Sequence, residues 1–272
     1  MSRVAFTHLD RVFWPESELT KRHLVDYYNA VAPVLVPHLR GRPFTIKRHY
    51  TVPRGPFEWV KDAPPELPPW VRVCPQPAKS RPRGALVRYP LVNSRDALLW
   101  MVEYGAIDLH VWSSRCDRPD RPDWVLFDLD PAGRAGFGEV VRAALLLRDA
   151  LEALELESLV RTTGGEGLHV LVPIARRHTH EEARRFARVE RREGVYVDAK
   201  MNGHGQQVVA GYSVRPLPGA PVATPMRWDE LDEALDPGDF SLTSVSDRLA
   251  RLGDLHARLL RGRQRLPRAT YA

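Results

Sequence analysis

Apolar positions recur along this chain with two periods, and each period predicts its own kind of element. Behind Thr20 as N-cap, Leu24, Tyr27, Tyr28 and Val31 follow at helical spacing, and Gly41 closes the run. Residues 95–104 repeat the pattern with Leu98, Leu99 and Val102 on one face. Residues 138–156 do so through Val140, Val141, Leu145, Leu146, Ala150 and Leu154. Residues 179–190 read as a charged helix and 241–265 as a basic helical tail. Short apolar runs at 44–48, 124–127, 159–162, 168–172 and 195–197 read as strands.

Prolines crowd residues 52–90, which predicts loops and short strands there. That stretch is read as the border of a small N-terminal lobe. The expectation is one domain over 1–272, with a lobe at 1–90, a catalytic core at 91–240 and a basic tail at 241–272. Strand–turn–strand units among helices predict an α+β fold with mixed or antiparallel sheets flanked by helices.

Composition narrows the class. The chain has 272 residues, 43% hydrophobic, enough for a substantial core. It has no run of 18 apolar residues, so a membrane span is not expected. Its first eight residues carry no apolar run ahead of a cleavage site, so secretion is not expected either. Cys74 and Cys116 are too few for a disulfide framework or a cysteine zinc site, which suits a reducing cytoplasm. Forty Lys and Arg against 34 Asp and Glu give a net charge of +6. Such a balance points to a polyanionic partner or to an ordinary arginine-rich surface.

The sharpest motif is Phe127-Asp128-Leu129-Asp130-Pro131. Residues two apart on a strand share a face, so two carboxylates project together from the end of a buried strand. Such a pair either holds a divalent cation or caps the turn that Pro131 and Gly133 announce. Asp198 ends the strand at 195–197 in the same way and is either a third ligand or a solvated turn residue. The stretch Thr162-Thr163-Gly164-Gly165-Glu166-Gly167-Leu168-His169 is a glycine-rich turn between strands. It is read as a phosphate cradle, with Thr163 and His169 as added donors, or as a plain hairpin. No dinucleotide fingerprint and no P-loop is present. His110 shares a strand face with Asp108, and Arg215 ends another apolar run; either is a phosphate ligand or structural. In the first 61 residues, Arg11, Lys21, Lys47, Arg48 and Lys61 alternate with Phe13, Trp14, Tyr50, Phe57 and Trp59. Basic groups among rings suit single strands and nucleic-acid ends.

Taken together, these motifs resemble the polymerase domain of bacterial DNA ligase D, of the archaeo-eukaryotic primase superfamily. The resemblance runs through residues 8–15, 19–21, 33–43, 61–64, the aspartate pair, 215–225 and 228–231. It implies a primase–polymerase fold and a template-directed nucleotidyltransferase that adds NTPs or dNTPs at gaps and breaks in non-homologous end joining. It implies two Mn²⁺ or Mg²⁺ ions on Asp128, Asp130 and Asp198. It implies a nucleotide pocket of Lys47, His110, Thr163, Gly164, Gly165, His169 and Arg215. It places Arg11 and Lys21 on a downstream 5′-phosphate, and Trp59 and Lys61 on the template. The implied partners are gapped or broken DNA, preferably 5′-phosphorylated, with Ku and a separate ligase, in the cytoplasm at the nucleoid and away from membrane. No Lys-x-Asp-Gly ligase motif occurs. Glu58, Glu166, Met201 and the short stretch between Phe186 and Val195 depart from the family pattern. Two readings compete: a non-catalytic DNA-end-binding module with a decayed site, and a phosphatase of the haloacid-dehalogenase type, whose opening motif residues 125–130 resemble but whose Gly-Thr continuation is missing.

Overall fold

A computed structural model describes residues 3–51, 53, 55–77, 84–188 and 195–267. The strands β1 (Val12–Trp14) and β2 (Leu19–Thr20) lead into α1 (Lys21–Leu39). Next come β3 (Phe44–His49), β4 (Phe57–Val60) and a ribbon of β5 (Val73–Pro77) with β6 (Leu86–Pro90). Helix α2 (Arg95–Glu103), β7 (Ala106–Val111) and the hairpin of β8 (Ser114–Arg115) and β9 (Arg118–Pro122) follow. Then come β10 (Trp124–Pro131), α3 (Phe137–Ala153), β11 (Leu159–Thr162), β12 (Leu168–Pro173) and α4 (His180–Phe186). The chain finishes with β13 (Val195–Asp198), β14 (Val208–Val209), β15 (Pro225–Met226) and α5 (Val245–Leu252).

Two larger sheets organise the molecule. One has the order β13-β10-β12-β11-β15 and the other β14-β7-β3-β4, every pairing antiparallel. Alternation gives each sheet a face turned to its helices and an opposite face, with one register shift between Ile46 and Arg48 in the β3–β7 pairing. In β10, Val125, Phe127 and Leu129 pack under α3, together with Val160, Leu168 and Val170. In the second sheet, Phe44, Ile46, Ile107 and Leu109 pack against α1 and α2. The opposite face of β10 carries Trp124 and Leu126, which meet Leu171 and Val208 between the sheets. Farther along that face, the same alternation brings out Asp128 and Asp130. In β3 and β7, alternation likewise brings out Thr45, Lys47, His49, Asp108 and His110. Each sheet therefore turns its apolar face to its own helices, and the two polar faces share one cleft.

The helices follow the sequence pattern, with shorter ends. The Thr20 amide donates to His23 Nδ1 at 3.0 Å and fixes the start of α1. Helix α3 stops at Ala153, where Glu155 turns left-handed at φ 56°. The tail is less helical than its pattern predicts. Helix α5 ends at Gly253, whose φ of 68° breaks the run, and a 3₁₀ turn at Ala257–Arg261 follows. Residues 189–194, in the short stretch before β13, lie outside the described residues.

Two further features come from contacts between distant segments. Cys74 and Cys116 form a disulfide, with Cα atoms 5.9 Å apart. They stand 42 positions apart in the chain, and the β5–β6 ribbon brings them together beside Val87, Tyr89, Leu91 and Trp112. The bridge is a single one, not a framework. Secondly, the sheet β14-β7-β3-β4 takes strands from both sides of residue 90, and so does its core. Among the described residues, no helix is long and apolar enough to cross a membrane.

Candidate active site

The cleft owes its chemistry to strand register. Asp128 lies opposite His169 of β12 on one side and Asp198 of β13 on the other. His169 in turn lies opposite Arg161 of β11. Arg161, His169, Asp128 and Asp198 thus form one row across four strands, on the face turned to the second sheet. The row is hydrogen-bonded along part of its length. Arg161 Nε donates to His169 Nδ1 at 3.0 Å, and His169 Nε2 stands 3.0 Å from Asp128 Oδ1. Arg161 Nη2 also donates to the Val209 carbonyl at 2.6 Å. Asp198 Oδ1 accepts from the Lys200 amide at 2.7 Å.

Electrostatics separate the two carboxylates of β10. Burial pushes the Asp128 carboxyl up, but His169 beside it and Arg161 behind it bring it below its usual value. Asp130 is pushed up to about 6, first by burial and then by the charges of Asp128 and Asp198. The His169 ring is pushed down by burial against the pull of Asp128. Burial likewise lowers Arg161 to about 9. Crowded carboxylates that resist joint ionisation are the oxygen donors a hard divalent cation neutralises, so this cluster fits such an ion. Among the described residues, no three His, Cys, Asp or Glu side chains are already gathered as a metal-binding group.

An open cavity of about 590 Å³ lies over part of this cluster, with neither Asp198 nor Arg161 in its lining. Asp128, Asp130 and His169 line it with His110, Thr163 and Arg215. The glycine-rich turn forms one wall. Its Gly165 and Gly167 amides reach Thr163 Oγ1 at 3.2 and 3.3 Å, so that hydroxyl braces the turn from within. Gly164, at φ 70°, lets Arg215 pass; a Cβ there would lie 2.6 Å from Arg215 Cγ. Arg215 Nη1 donates to the Thr163 carbonyl at 2.7 Å, fixing the guanidinium over the turn. Glu166, exposed at the tip, and Met201 also face this cavity.

The second sheet supplies the remaining predicted residues. Lys47 lies opposite Trp59 in the β3–β4 register, and its ammonium sits 4.5 Å from the Phe57 ring centroid and 5.8 Å from that of Trp59. Trp59 meets His110 edge-on at 4.9 Å, and 44% of its surface is exposed. Lys61 is exposed just beyond β4. Arg11 and Lys21 lie apart from this cavity, at the start of α1. Arg11 is exposed, and its carbonyl accepts from the Lys21 amide at 2.9 Å. The Lys21 ammonium is buried on Glu103, 2.7 Å from its carboxylate.

Arg161 was not singled out by the sequence reading. Its signal was available: a hairpin closing over residues 163–167 pairs Thr162 with Leu168, and hence Arg161 with His169.

A family model described as the LigD primase-polymerase domain matches residues 20–189 and 185–256. The chain belongs to that family. It is 30% identical over 282 residues to the multifunctional non-homologous end joining protein LigD of Mycolicibacterium smegmatis, covering 94% of this chain and 36% of that protein. It is 31% identical to the Mycobacterium tuberculosis multifunctional non-homologous end joining DNA repair protein LigD, covering 94% of this chain and 37% of that one. The chain therefore spans little more than a third of the length of these relatives. Among solved structures, the polymerase domain from Mycobacterium tuberculosis ligase D in complex with DNA matches with a TM-score of 0.87 at 28% identity, over 97% of this chain and 100% of that one. The fold is the α+β primase–polymerase fold, and the chain is a nucleotidyltransferase domain of this metal-dependent polymerase family.

Proposed function

We propose that the chain extends a primer 3′-hydroxyl with nucleoside triphosphates at DNA gaps and breaks, under template direction, in non-homologous end joining. The observation that carries this reading is the cleft itself. Asp128 and Asp130 line one side of a cavity, and Arg215 and His110 line another. Nucleotidyl transfer needs acidic ligands and fixed cations facing each other across the triphosphate.

Asp128, Asp130 and Asp198 would hold two Mn²⁺ or Mg²⁺ ions. Such ions neutralise phosphate charge and lower the pKa of an attacking hydroxyl. The chain's own groups do the rest. Arg215 offers a guanidinium fork to the phosphates, and His110 and Lys47 add cationic or donor groups. The turn at Thr163, Gly164 and Gly165 shapes the cavity wall. His169 holds Asp128 in place. Trp59 presents a ring for stacking a template base, with Lys61 beside the backbone. Arg11 is the exposed cation for a downstream 5′-phosphate, while Lys21 reaches such a phosphate only by leaving Glu103. Ku and a ligase activity, on the same polypeptide or on another, are the partners proposed for this role, with action at the nucleoid.

The test is primer extension on a gapped duplex bearing a 5′-phosphate, with Mn²⁺ and NTPs or dNTPs. Incorporation by the native chain that disappears in Asp128→Ala/Asp130→Ala supports the polymerase, and the NTP/dNTP ratio gives the sugar preference. Tight gap binding without incorporation favours the end-binding module instead. That second reading draws on Glu166, an exposed carboxylate facing the cavity, whose charge opposes a triphosphate.

A further inference from the structure

Behind the cavity wall lies a carboxylate that no part of the reaction above uses. Asp108 of β7 is wholly buried. Its Oδ2 stands 2.9 Å from His110 Nε2, 3.3 Å from Lys47 Nζ and 3.9 Å from Arg215 Nε. Its Oδ1 stands 3.7 Å from His49 Nε2. One anion therefore faces four basic side chains drawn from β3, β7 and the segment after β14. Strand alternation explains the convergence, because Lys47 and His49 share a face of β3 and Asp108 and His110 share a face of β7. Burial pushes the Asp108 carboxyl up, yet His110, His49 and Lys47 overcome that and hold it well below the usual carboxylate range. Arg215 Nε, both His49 ring nitrogens and Asp108 Oδ1 have no hydrogen-bond partner. The cations therefore keep hydrogen-bonding capacity beyond their contacts with Asp108: Arg215 Nε is unbonded and the Lys47 ammonium has further donors. Two of its members, His110 and Arg215, line the open cavity.

We propose that Asp108 is a positioning residue for the incoming nucleoside triphosphate: it anchors Lys47, His110 and Arg215 from behind, so that their remaining donors point at the phosphates. This rests on the polymerase reading of the site. A long flexible cation such as Lys47 loses rotamer entropy when it is fixed, and Asp108 imposes that loss before substrate arrives. The anchor costs some affinity, because its own negative charge opposes the phosphates. The cation geometry it imposes outweighs that repulsion. Asp108 acts through these side chains and does not touch the substrate.

The two effects have opposite signs and can be separated by experiment. Asp108→Asn keeps the shape and removes the charge; Asp108→Glu keeps the charge and displaces the carboxylate by one methylene. Primer extension with Mn²⁺ and ATP is measured as separate kcat and KM, alongside gapped-DNA affinity and melting temperature. Positioning predicts that both variants raise KM for ATP by about tenfold or more, with kcat within about threefold and gap binding unchanged. A lower KM in Asp108→Asn with an unchanged KM in Asp108→Glu overturns the proposal in favour of plain electrostatic repulsion. Loss of kcat, gap binding and melting temperature together, at unchanged KM, overturns it in favour of a purely structural carboxylate. If one variant does not fold, the other still gives the KM. If the native chain itself incorporates nothing, the polymerase reading fails. ATP–Mn²⁺ binding, followed by titration calorimetry, then tests Asp108 independently: equal affinity in the native chain and both variants overturns positioning.

Discussion

His169 Nε2 lies 3.0 Å from Asp128 Oδ1. Which nitrogen carries the proton is decided one strand away, because Arg161 donates to Nδ1 and leaves only Nε2 to bear hydrogen. The imidazole therefore donates to Asp128 and fixes the rotamer of that carboxylate. Arg161→Lys removes the forked donor that spans His169 and the Val209 carbonyl. Supporting partners of this kind typically change activity by about 10–100-fold. The expected outcome is a loss of incorporation of about tenfold in Arg161→Lys, a larger loss in His169→Ala, and no further loss in the double variant. Additive losses in a double-mutant cycle would show that Arg161 acts by another route.

Gly167 makes room for Asp130. A Cβ at this position would lie 2.5 Å from Asp130 Oδ1 and 2.5 Å from the Leu129 carbonyl. Gly167→Ala must displace the carboxylate or part β10 from the turn. Misplacement of about 1 Å at a reacting centre costs roughly 10²-fold in rate. Primer extension by Gly167→Ala is expected to fall by about that factor, while gapped-duplex affinity stays within about twofold of the native chain.

Arg42 is 2% exposed, and its Nη2 donates to both Asp123 carboxylate oxygens at 2.7 and 2.8 Å. Its other donors reach the carbonyls of His38, Trp112 and Ser113. Arg115 Nε adds a third bond to the same carboxylate at 2.9 Å. Removing one partner of a buried pair leaves an uncompensated charge and costs about 3–5 kcal/mol. Asp123→Asn should lower unfolding stability by about that amount in urea titrations. Arg115→Ala, which strips only the more exposed partner, should cost about 1 kcal/mol or less.

His256 is buried, with its Nε2 bonded to the Val160 carbonyl at 3.0 Å. Burial first, and then the nearby Arg161 charge, push it from an ordinary 6.5 down to about 3. The folded state thus holds the neutral ring while the unfolded chain takes up a proton. Its contribution is complete above pH 6.5 and is lost as pH falls from 6.5 toward 3. At pH 4.5 the loss amounts to about 2–3 kcal/mol. Carboxylates with lowered values, such as Asp254, add their losses mainly below this window. His256→Gln should flatten the fall in unfolding free energy between pH 6.5 and 4.5. His169, also pushed down, retains part of the slope.

Much of the fold and site was legible in the sequence because it depends on local periodicity. The spacing of Leu24, Tyr27, Tyr28 and Val31 marked α1, and alternation around Phe127 placed Asp128 and Asp130 on one strand face. The hairpin at residues 162–168 was equally local. Less legible were the ends of helices, as at Gly253, where one backbone angle overrides a periodic run. Cys74 and Cys116 look unrelated in a linear reading, yet a ribbon fold makes them neighbours. Arg161 looked like one more arginine in a basic chain.

By itself the sequence determined which side chains face one way on each strand, since a period of two admits no other arrangement. It also identified the family, through many motifs in a fixed order. Only the tertiary structure decided which polar faces meet. Register between strands distant in sequence set Asp128 between His169 and Asp198. Packing of two sheets back onto their own helices left Asp108 buried among Lys47, His49, His110 and Arg215. It also settled Lys21 on Glu103, between the starts and ends of different helices. Such pairings depend on how separate apolar faces find cover, and no local pattern carries that information.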